Sequence, residues 1–539
     1  MSTSHTTTTS RTRGLLALGA LALPTLLVAI DISVLAVALP TMGRELHASA
    51  TELLWMTDSY NFLVAGAMLT TGAVADRIGR RRMIMICAAT FAVASGVGAF
   101  ATTPLLVIIA RAVMGLAGSA IFPASMALLA GLFTEEKARI QAMGAMMTVF
   151  LGGMAVAPFV GGLLLDHFWW GSVFLINVPV TAVGIVAAAI LVPESRNREA
   201  GGIDYVGVLL SIAGLVLLVY GIVQGGDSAS WLHLGVIGPI VGGLAVLAVF
   251  AWYEARIQHP SLDVRLFRDR RLSASIGSLG LVFFGMGGVF FFTSFYLQNV
   301  RGYTPLAAGL LTVPFAAGQL LMSPRSARMV QRYGAKVVGA TGMFVMAAAI
   351  AGYATLGTDS PIWMLGVLFA IQGAAIGVSM PAATAAVMDV LPRERAGAGS
   401  ALTNTARQVA VALSVAILGS ILAQFYRNAL SPSLTALPAA ARSAASSSIT
   451  ATQAVAQQLG TSGRSLLGPA NDAFVSSMRV TTLIAAVLAL AGGFVVLRWM
   501  PGKPAKAAEP ALASADPSYE AELAILEEQH MLESSPREG

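Results

Sequence analysis

The chain is poor in charged residues: only 11% of its 539 residues are Asp, Glu, Lys or Arg, whereas a soluble domain carries about 25%. So little charge cannot cover a water-facing surface of this size, which excludes a soluble enzyme, a fibrous protein and a disordered chain. With 56% hydrophobic residues, the composition predicts an all-α integral membrane protein. The apolar stretches are long and continuous rather than short and alternating, which disfavours a β-barrel.

Cysteine is almost absent, since Cys87 is the only one, and this excludes an intrachain disulfide and a Cys-based metal site. The chain also lacks a His-Glu-x-x-His motif, an Asp-rich cation site and a Gly-x4-Gly-Lys-Ser/Thr phosphate loop. These absences disfavour a metalloprotease, a prenyltransferase and an ATP-driven pump. We therefore expect no enzymatic activity, no metal and no other cofactor.

The net charge of +6 is not a nucleic-acid signal, because Lys and Arg of a membrane protein collect in its cytoplasmic loops. The expected surroundings are the lipid bilayer, protons and small molecules, with no nucleic acid, and the expected state is a monomer. The polar start (1–13) runs into an apolar stretch long enough to span, so no cleaved signal is expected.

Fourteen apolar stretches are long enough to cross a bilayer, which takes about 20 residues. We number them spans 1 to 14 in chain order. Their limits are 15–39, 52–74, 83–102, 104–130, 140–165, 170–192, 204–225, 232–252, 272–298, 305–327, 336–357, 361–389, 397–424 and 475–498.

The positive charges are distributed very unevenly over the predicted loops. With a cytoplasmic amino terminus, 25 of the 33 Lys and Arg residues fall on the cytoplasmic side and six on the other. This asymmetry predicts that both termini face the cytoplasm. Arg is far commoner than Lys, which fits a GC-rich bacterial genome and hence the bacterial plasma (inner) membrane.

The chain repeats itself at a shift of 258 residues, which aligns span 4 with span 12. Gly115 then meets Gly373 and Pro123 meets Pro381, and a weaker echo relates Gly79 to Gly334. Spans 1–6 and 9–14 are therefore interpreted as two copies of one unit. The predicted units are the amino terminus (1–14), a six-helix bundle (15–192), inserted helices 7 and 8 (204–252), a second six-helix bundle (272–498, with an outer loop at 426–473) and an acidic tail (499–539).

The intramembrane charges do not follow the repeat. Asp31, Asp58 and Arg111 of the first half have no charged counterpart in the second, and Arg407 of the second half falls opposite Val149. The scaffold is thus interpreted as duplicated, while the charge chemistry is not.

Four segments carry a resemblance to a known family. The loop after span 2 reads Gly72-Ala-Val-Ala-Asp76-Arg77-Ile-Gly79-Arg80-Arg81-Arg82, span 1 holds Asp31-Ile-Ser-Val-Leu-Ala-Val-Ala-Leu-Pro40, span 4 holds Arg111-Ala-Val-Met-Gly115, and span 5 holds Gly152-Gly153-x-x-x-Ala157-Pro158-x-x-Gly161-Gly162. In that order, the four segments resemble four motifs of the major facilitator superfamily: its signature loop, the first helix of its drug:proton antiporters, its Arg-x-x-x-Gly segment and its antiporter motif.

The number of spans, fourteen, resembles that of the branch of this family that exports quaternary ammonium compounds and dyes. Span 2 holds Leu54-Trp55-Met-Thr-Asp58-Ser-Tyr60, which is similar to a segment of those exporters. The resemblance implies an alternating-access carrier that exchanges protons for multiple amphipathic, cationic compounds. Two alternatives stay open: a dedicated exporter of one endogenous metabolite, antibiotic or lipid with the same fold, and a sensor or receptor.

Asp31 is the expected proton-coupling residue. An ionised Asp at a helix centre costs about 2.5–3.5 kcal/mol, so it should face a cavity or a partner. The resemblance makes Arg111 that partner. A carboxylate held between desolvation and a neighbouring cation can bind and release a proton. The alternative is a fixed salt bridge that only holds helices together.

Asp58 shares a helical face with Trp55 and Phe62, because these residues lie three before and four after it. A carboxylate with aromatic walls suits a lipophilic cation. The alternative is an interfacial Trp55 beside a hydrated Asp58.

Arg407 is an intramembrane cation with no acid well inside spans 9–14. We count it among the substrate-binding candidates. The resemblance to exporters with an acid in the second half makes the absence of such an acid a reason to doubt dicationic substrates. Arg407 is interpreted as favouring anionic or zwitterionic groups; the alternative is that it hydrogen-bonds carbonyls at a helix break.

Two further segments are expected to control conformation. The loop residues Gly72, Asp76, Arg77, Gly79 and Arg80 are interpreted as a gate that pairs with the facing bundle; alternatively, the Arg cluster only sets topology. In span 5, Gly153, Pro158, Gly161 and Gly162 are interpreted as a hinge, or as ordinary close packing.

Overall fold

The computed structural model describes residues 4–500 except 134, 197–203, 228–230, 258–263, 391–395 and 461–462. Most of the predicted acidic tail lies outside the described residues. Every described secondary-structure element is helical, and no β-strand occurs among these residues. The predicted all-α class is confirmed.

Within this part of the chain, fourteen long helical elements follow the order of the predicted spans. They are α1 Ser4–Glu45, α2 Ala50–Ile78, α3 Arg80–Ala99, α4 Pro104–Leu132, α5 Glu136–His167, α6 Ser172–Leu191, α7 Tyr205–Asp227, α8 Leu234–Glu254, α9 Arg270–Val300, α10 Pro305–Tyr333, α11 Ala335–Tyr353, α12 Ile362–Val390, α13 Ala396–Leu430 and α14 Arg464–Trp499. The last five residues of α9 form a π-helical turn, Tyr296–Val300.

Thirteen of these elements, counted over the described residues, are long and apolar enough to cross a membrane. The exception is α2, a 29-residue helix that carries Asp58 and Asn61 in its middle. A multi-pass membrane protein is therefore established, while the count of fourteen crossings stays a prediction.

Local sequence explains several helix starts. Ser49 and Glu52 form a capping box before α2, with the Ser49 amide donating to Glu52 at 2.8 Å. The hydroxyls of Thr103 and Thr304 cap α4 and α10, and a proline follows each. Capped backbone amides followed by proline are typical of helix beginnings.

Gly79 and Gly334 join α2 to α3 and α10 to α11. Each glycine has a positive φ, 110° and 86° respectively, a conformation that glycine adopts without the penalty of a side chain. Each ends one helix and begins the next. The two junctions are similar, and the internal repeat stays a prediction.

The hairpin of α7 and α8 is attached through α7, which packs against both α2 and α13. The Ser211 hydroxyl of α7 donates to the carbonyl of Gly66 in α2 at 3.3 Å. The hairpin therefore touches helices of both predicted bundles, and the predicted unit boundaries stay a prediction.

The helix ends around Val37, Asp166 and Asn299 form what we call the predicted outer end. Here Gln298 of α9 donates to the carbonyl of Val37 in α1 at 2.8 Å. The backbone amide of Leu306 in α10 donates to Asp166 of α5 at 3.4 Å. Helices from the two predicted bundles are thus joined at this end.

The predicted outer loop contains short helices, at Ala439–Ser446 and Ile449–Gln458. The second of them lies on the predicted outer end, where Gln453 donates to the carbonyl of Asn299 at 2.7 Å and Asn299 donates to Thr450 at 2.9 Å. Helix α14 begins at Arg464, eleven residues before predicted span 14. The residues from 464 to 474 are too polar to be recognised by hydropathy, so the predicted span begins later than the helix does.

Candidate functional site

A cavity of about 130 Å³ lies between helices of the two predicted bundles. Its wall is apolar and rich in phenylalanine and methionine, with a few polar side chains. Such walls suit amphipathic organic molecules, because thioether and aromatic side chains adapt to different shapes. The lining residues come from α1 (Ile32, Ser33, Leu35, Ala36, Leu39), α2 (Thr57, Asn61), α5 (Met154, Pro158), α9 (Phe283, Met286, Gly287, Phe290, Phe291), α10 (Thr312, Phe315, Ala316, Gln319), α12 (Met380) and α13 (Arg407, Val411, Val415).

Arg407 is the one charged residue of this lining. Its guanidinium carbon lies 5.6 Å from the ring centroids of both Phe150 and Phe283. Cation–π attraction of this kind stabilises a desolvated guanidinium without using its N–H donors. The structure therefore places this predicted residue in the cavity wall.

Asp31 and Arg111 form a buried ion pair, as the resemblance implied. Nη1 of Arg111 lies 2.5 Å from Oδ2 of Asp31, and the exposed fractions of the two residues are 2% and 1%. Neither residue lines the cavity, although Ile32 and Ser33, the next two residues of α1, do. The pair links α1 to α4 directly behind the cavity wall.

Two residues that the sequence reasoning missed complete the surroundings of Asp31. Nδ2 of Asn177 in α6 donates to Oδ1 of Asp31 at 3.3 Å and to Oγ of Ser95 in α3 at 2.9 Å. Ser95 in turn donates to the carbonyl of Phe174 at 2.8 Å. An Asn and a Ser in apolar helices are weak sequence signals, because such residues also occur in ordinary helix packing.

Arg111 is also held from α2. Its Nε donates to the carbonyl of Met56 at 3.2 Å, and its guanidinium carbon lies 4.2 Å from the centroid of the Tyr60 ring. Tyr60 is thus a neighbour of the ion pair. Contacts from α1 and α2 thus converge on the guanidinium that α4 carries.

Asp58, Trp55 and Phe62 do not line the cavity. The rings of Trp55 and Phe62 do meet, with centroids 6.3 Å apart, and Trp55 also contacts Tyr220 of α7 at 6.4 Å. Asp58 is fully buried, and neither of its carboxylate oxygens has a hydrogen-bond partner among the described residues. The three residues therefore lie on one face of α2, as predicted. The contact between Trp55 and Tyr220 shows that this face packs against α7.

The signature loop is held mainly by its own half of the chain. Nε of Arg80 lies 2.7 Å from Oδ1 of Asp76, and Nη1 of Arg80 donates to the carbonyl of Ala127 in α4 at 3.1 Å. Arg196 donates to the carbonyl of Arg77. Gly72 lies within α2.

Glu194 is a further residue that the sequence reasoning missed. Its carboxylate accepts from the backbone amides of Arg81 and Arg82 at 3.1 and 3.2 Å. These amides belong to the first turn of α3, where a carboxylate satisfies unpaired donors and interacts favourably with the helix dipole. A methyl group on Gly79 would lie 2.6 Å from this carboxylate, so the loop glycine makes room for the cap.

The glycines of α5 pack against two different helices. A Cβ atom on Gly153 or Gly161 would collide with side chains of α1, and one on Gly162 would lie 2.5 Å from the Cα atom of Leu306 in α10. From the other side, a Cβ atom on Gly309 would lie 2.2 Å from the carbonyl of Pro158. The glycine-rich segment of α5 thus packs closely against both α1 and α10.

The described residues contain no group of three or more His, Cys, Asp or Glu side chains that could hold a metal ion. The arrangement offers an apolar surface, one cation in the cavity wall at Arg407, and a buried carboxylate at Asp31 that is paired with Arg111.

Comparisons with known proteins give consistent results. A family model described as the major facilitator superfamily matches residues 21–415. The multidrug efflux pump LfrA of Mycolicibacterium smegmatis is 34% identical over 493 residues, which cover 91% of this chain and 97% of that protein. The tetracenomycin C resistance and export protein of Streptomyces glaucescens is 30% identical over 405 residues, 75% of each chain. Among solved structures, a bacterial homologue of the human lysosomal transporter Spinster, in an inward-facing unoccupied conformation, superposes with a TM-score of 0.64 at 17% identity and covers 91% of this chain and 98% of its own.

Proposed function

The chain belongs to the major facilitator superfamily, and on that premise we propose that it exports amphipathic organic compounds across the bacterial inner membrane in exchange for protons. Two similar proteins are called a multidrug efflux pump and a tetracenomycin C resistance and export protein. The apolar cavity with its phenylalanine and methionine wall supports the same substrate class. The proposed process is transport without covalent chemistry and without a cofactor, by a monomer whose termini lie in the cytoplasm.

The observation that carries proton coupling is the buried pair of Asp31 and Arg111. Removing one partner of a buried ion pair typically costs 3–5 kcal/mol, because the remaining charge stays desolvated. Protonation of Asp31 neutralises one partner in the same way. An energy of this size is large enough to shift a conformational equilibrium between two states of a carrier.

The pair is positioned to transmit that change to the cavity. Asp31 lies on α1 immediately before lining residues Ile32 and Ser33, while Arg111 is held by α2 through Met56 and Tyr60. When Asp31 is neutral, Arg111 keeps its contacts with α2 but loses its attraction to α1. Movement of α1 relative to α2 and α4 would then reshape the binding cavity.

The conformational cycle that we propose uses the two predicted control segments. The contacts of α5 with α10, and of α1 with α9, are the proposed closure of the predicted outer end. The loop from Gly72 to Arg80 is the proposed gate at the opposite end, where Asp76 now pairs with Arg80. Alternating access requires the first set of contacts to break when the second end closes.

The assignment of Asp58, Trp55 and Phe62 to a cation site stays a prediction. None of them lines the cavity in this conformation. We propose that substrate binds first to the cavity residues, with Arg407 as the charged contact.

The decisive experiment is proton-driven dye transport by the purified protein in liposomes, together with ethidium efflux from cells with and without an uncoupler. We expect that an imposed pH gradient drives transport by the wild type and that Asp31→Asn, although folded, abolishes it. Asp472→Asn is the matched control, because Asp472 is exposed on α14. Unimpaired gradient-driven transport by Asp31→Asn would refute the coupling role, and efflux that is insensitive to the uncoupler would refute proton coupling altogether.

A further inference from the structure

We propose that the cavity selects amphipathic molecules that carry an acidic group, and that the guanidinium of Arg407 binds this group. The inference rests on the proposed export function and names its substrate class. It differs from the expectation of cationic substrates that the sequence resemblance implied.

The first argument is the charge of the cavity wall. The lining contains Arg407 and no Asp or Glu residue among the described side chains. Asp31 is engaged by Arg111, and Asp58 lies outside the lining. A bound cation would therefore meet a positive charge and no carboxylate, whereas an anion would neutralise a partly desolvated guanidinium.

The second argument is the unused hydrogen-bonding capacity of Arg407. Its two contacts are with the rings of Phe150 and Phe283, and its guanidinium makes no hydrogen bond or ion pair with another described residue. The five N–H donors of a guanidinium form a planar fork that matches a carboxylate or a phosphate. The alternative role, binding carbonyls at a helix break, is not what these contacts show.

The third argument is the position of Arg407 relative to the apolar wall. Phe283 contacts the guanidinium and lines the cavity as well, and Phe290 and Phe315 continue the wall with ring centroids 4.8 Å apart. A molecule with an aromatic body and one acidic group can place the body on these rings while the acid reaches Arg407. The cation–π contacts fix the guanidinium in advance, which lowers the entropic cost of binding.

The test compares two dyes with one body, rhodamine 110, which has a free carboxylate, and its methyl ester rhodamine 123. Equilibrium binding to the detergent-purified full chain is measured by fluorescence anisotropy, without a gradient. The wild type should bind the acid more tightly than the ester. Arg407→Gln should weaken binding of the acid at least about tenfold, as expected for hydrogen bonds to a charged group, and should not weaken binding of the ester, which is a cation.

Two variants complete the experiment. Arg407→Lys keeps the charge without the planar fork and should retain part of the preference for the acid. Arg498→Gln removes an exposed charge at the end of α14 and should change neither affinity. Equal affinity of the wild type for both dyes, tighter binding of the ester, or an equal loss for both dyes in Arg407→Gln would overturn the inference.

The comparison of the two dyes on the wild type stands even if Arg407→Gln fails to fold. The outcome is also separable from the proposed function, because binding is measured without a proton gradient. Gradient-driven transport with no preference for the acid would contradict only the inference. Absence of gradient-driven transport for every dye would contradict the proposed function.

Discussion

Asn177 donates a hydrogen bond to Oδ1 of Asp31, the carboxylate oxygen that Arg111 leaves free. Arg111 contacts Oδ2 at 2.5 Å and Asn177 contacts Oδ1 at 3.3 Å, so both oxygens are engaged in a site that solvent barely reaches. Because Asn177 belongs to α6 and also donates to Ser95 of α3, the charged form of Asp31 holds four helices together: α1, α3, α4 and α6.

Asn177→Ala should lower both stability and transport. The substitution leaves one buried oxygen of Asp31 without its donor, which costs about 1–3 kcal/mol. We expect a lower midpoint of thermal unfolding and a severalfold lower rate of gradient-driven dye transport, with unchanged affinity for the dye. Asn471→Ala on α14, remote from Asp31 in the chain, serves as the matched control. A normal transport rate in Asn177→Ala would mean that the amide is not needed to position Asp31.

The double variant Asp31→Asn/Arg111→Gln should separate the structural role of the ion pair from its coupling role. Each single variant leaves one buried polar or charged group uncompensated, and we expect each to lower the unfolding midpoint. The double variant removes both charges and should recover most of the lost stability. If the pair couples transport to protons, the double variant should show no transport driven by a pH gradient, even though most of its stability is recovered.

The same variant can disprove the role in coupling. Gradient-driven transport close to the wild-type rate in a protein without either charge would leave only a structural salt bridge. Unfolding is followed by a thermal shift assay in detergent, and transport is followed in liposomes with the gradient imposed in either direction.

Asp58→Asn should leave substrate affinity within about twofold of the wild type, because Asp58 is fully buried and is not one of the residues that line the cavity. A cation site built on Asp58 predicts instead a large loss of ethidium affinity. Asn61→Ala provides the comparison, since Asn61 lies on the same helix but lines the cavity, and we expect it to lower affinity severalfold. Ethidium binding to the purified protein decides between the two outcomes.

Gly162→Ala should open the predicted outer end. The added methyl group would lie 2.5 Å from the Cα atom of Leu306, a backbone atom that can move only if α10 shifts away from α5. Gly152→Ala is the matched control, because a Cβ atom there has no neighbour within 4 Å. The readout is labelling of Leu39→Cys in a Cys87→Ser background by a membrane-impermeant maleimide added outside the cell.

We expect Gly162→Ala to raise the labelling of position 39 severalfold and Gly152→Ala to leave it unchanged. Equal labelling in the two variants would show that the close contact of α5 and α10 does not keep this end shut. Leu39 is a suitable reporter because it lines the cavity and is only 1% exposed in the closed arrangement.

The helical architecture and the family were predictable from the sequence because both depend on strong local signals. Long apolar runs determine the helices, and the loop from Gly72 to Arg82 carries a specific pattern that the family match confirms. Helix ends were less predictable. The start of α14 at Arg464 lies in polar sequence that extends beyond any apolar run. The hydropathy of α2 is a separate matter: polar residues in the middle of this helix lower it.

The candidate site was predictable only where a charge stands alone in an apolar helix. Asp31, Arg111 and Arg407 are conspicuous because a charge inside a membrane is costly. Asn177 and Glu194 were not, since their roles depend on distant residues brought near by the fold. Helical periodicity correctly grouped Trp55 and Phe62, but it cannot determine which neighbouring helix that face meets, and here Trp55 meets Tyr220 of the inserted hairpin.

The mixture of methionine and phenylalanine around the cavity has a consequence for how this protein can evolve. Such side chains repack around differently shaped molecules, so exchanging one for another alters which compounds fit without disturbing the buried pair behind the wall. Selection by a new toxic compound can therefore act on the wall alone. The set of exported compounds can therefore change while the proposed coupling pair, Asp31 and Arg111, is preserved.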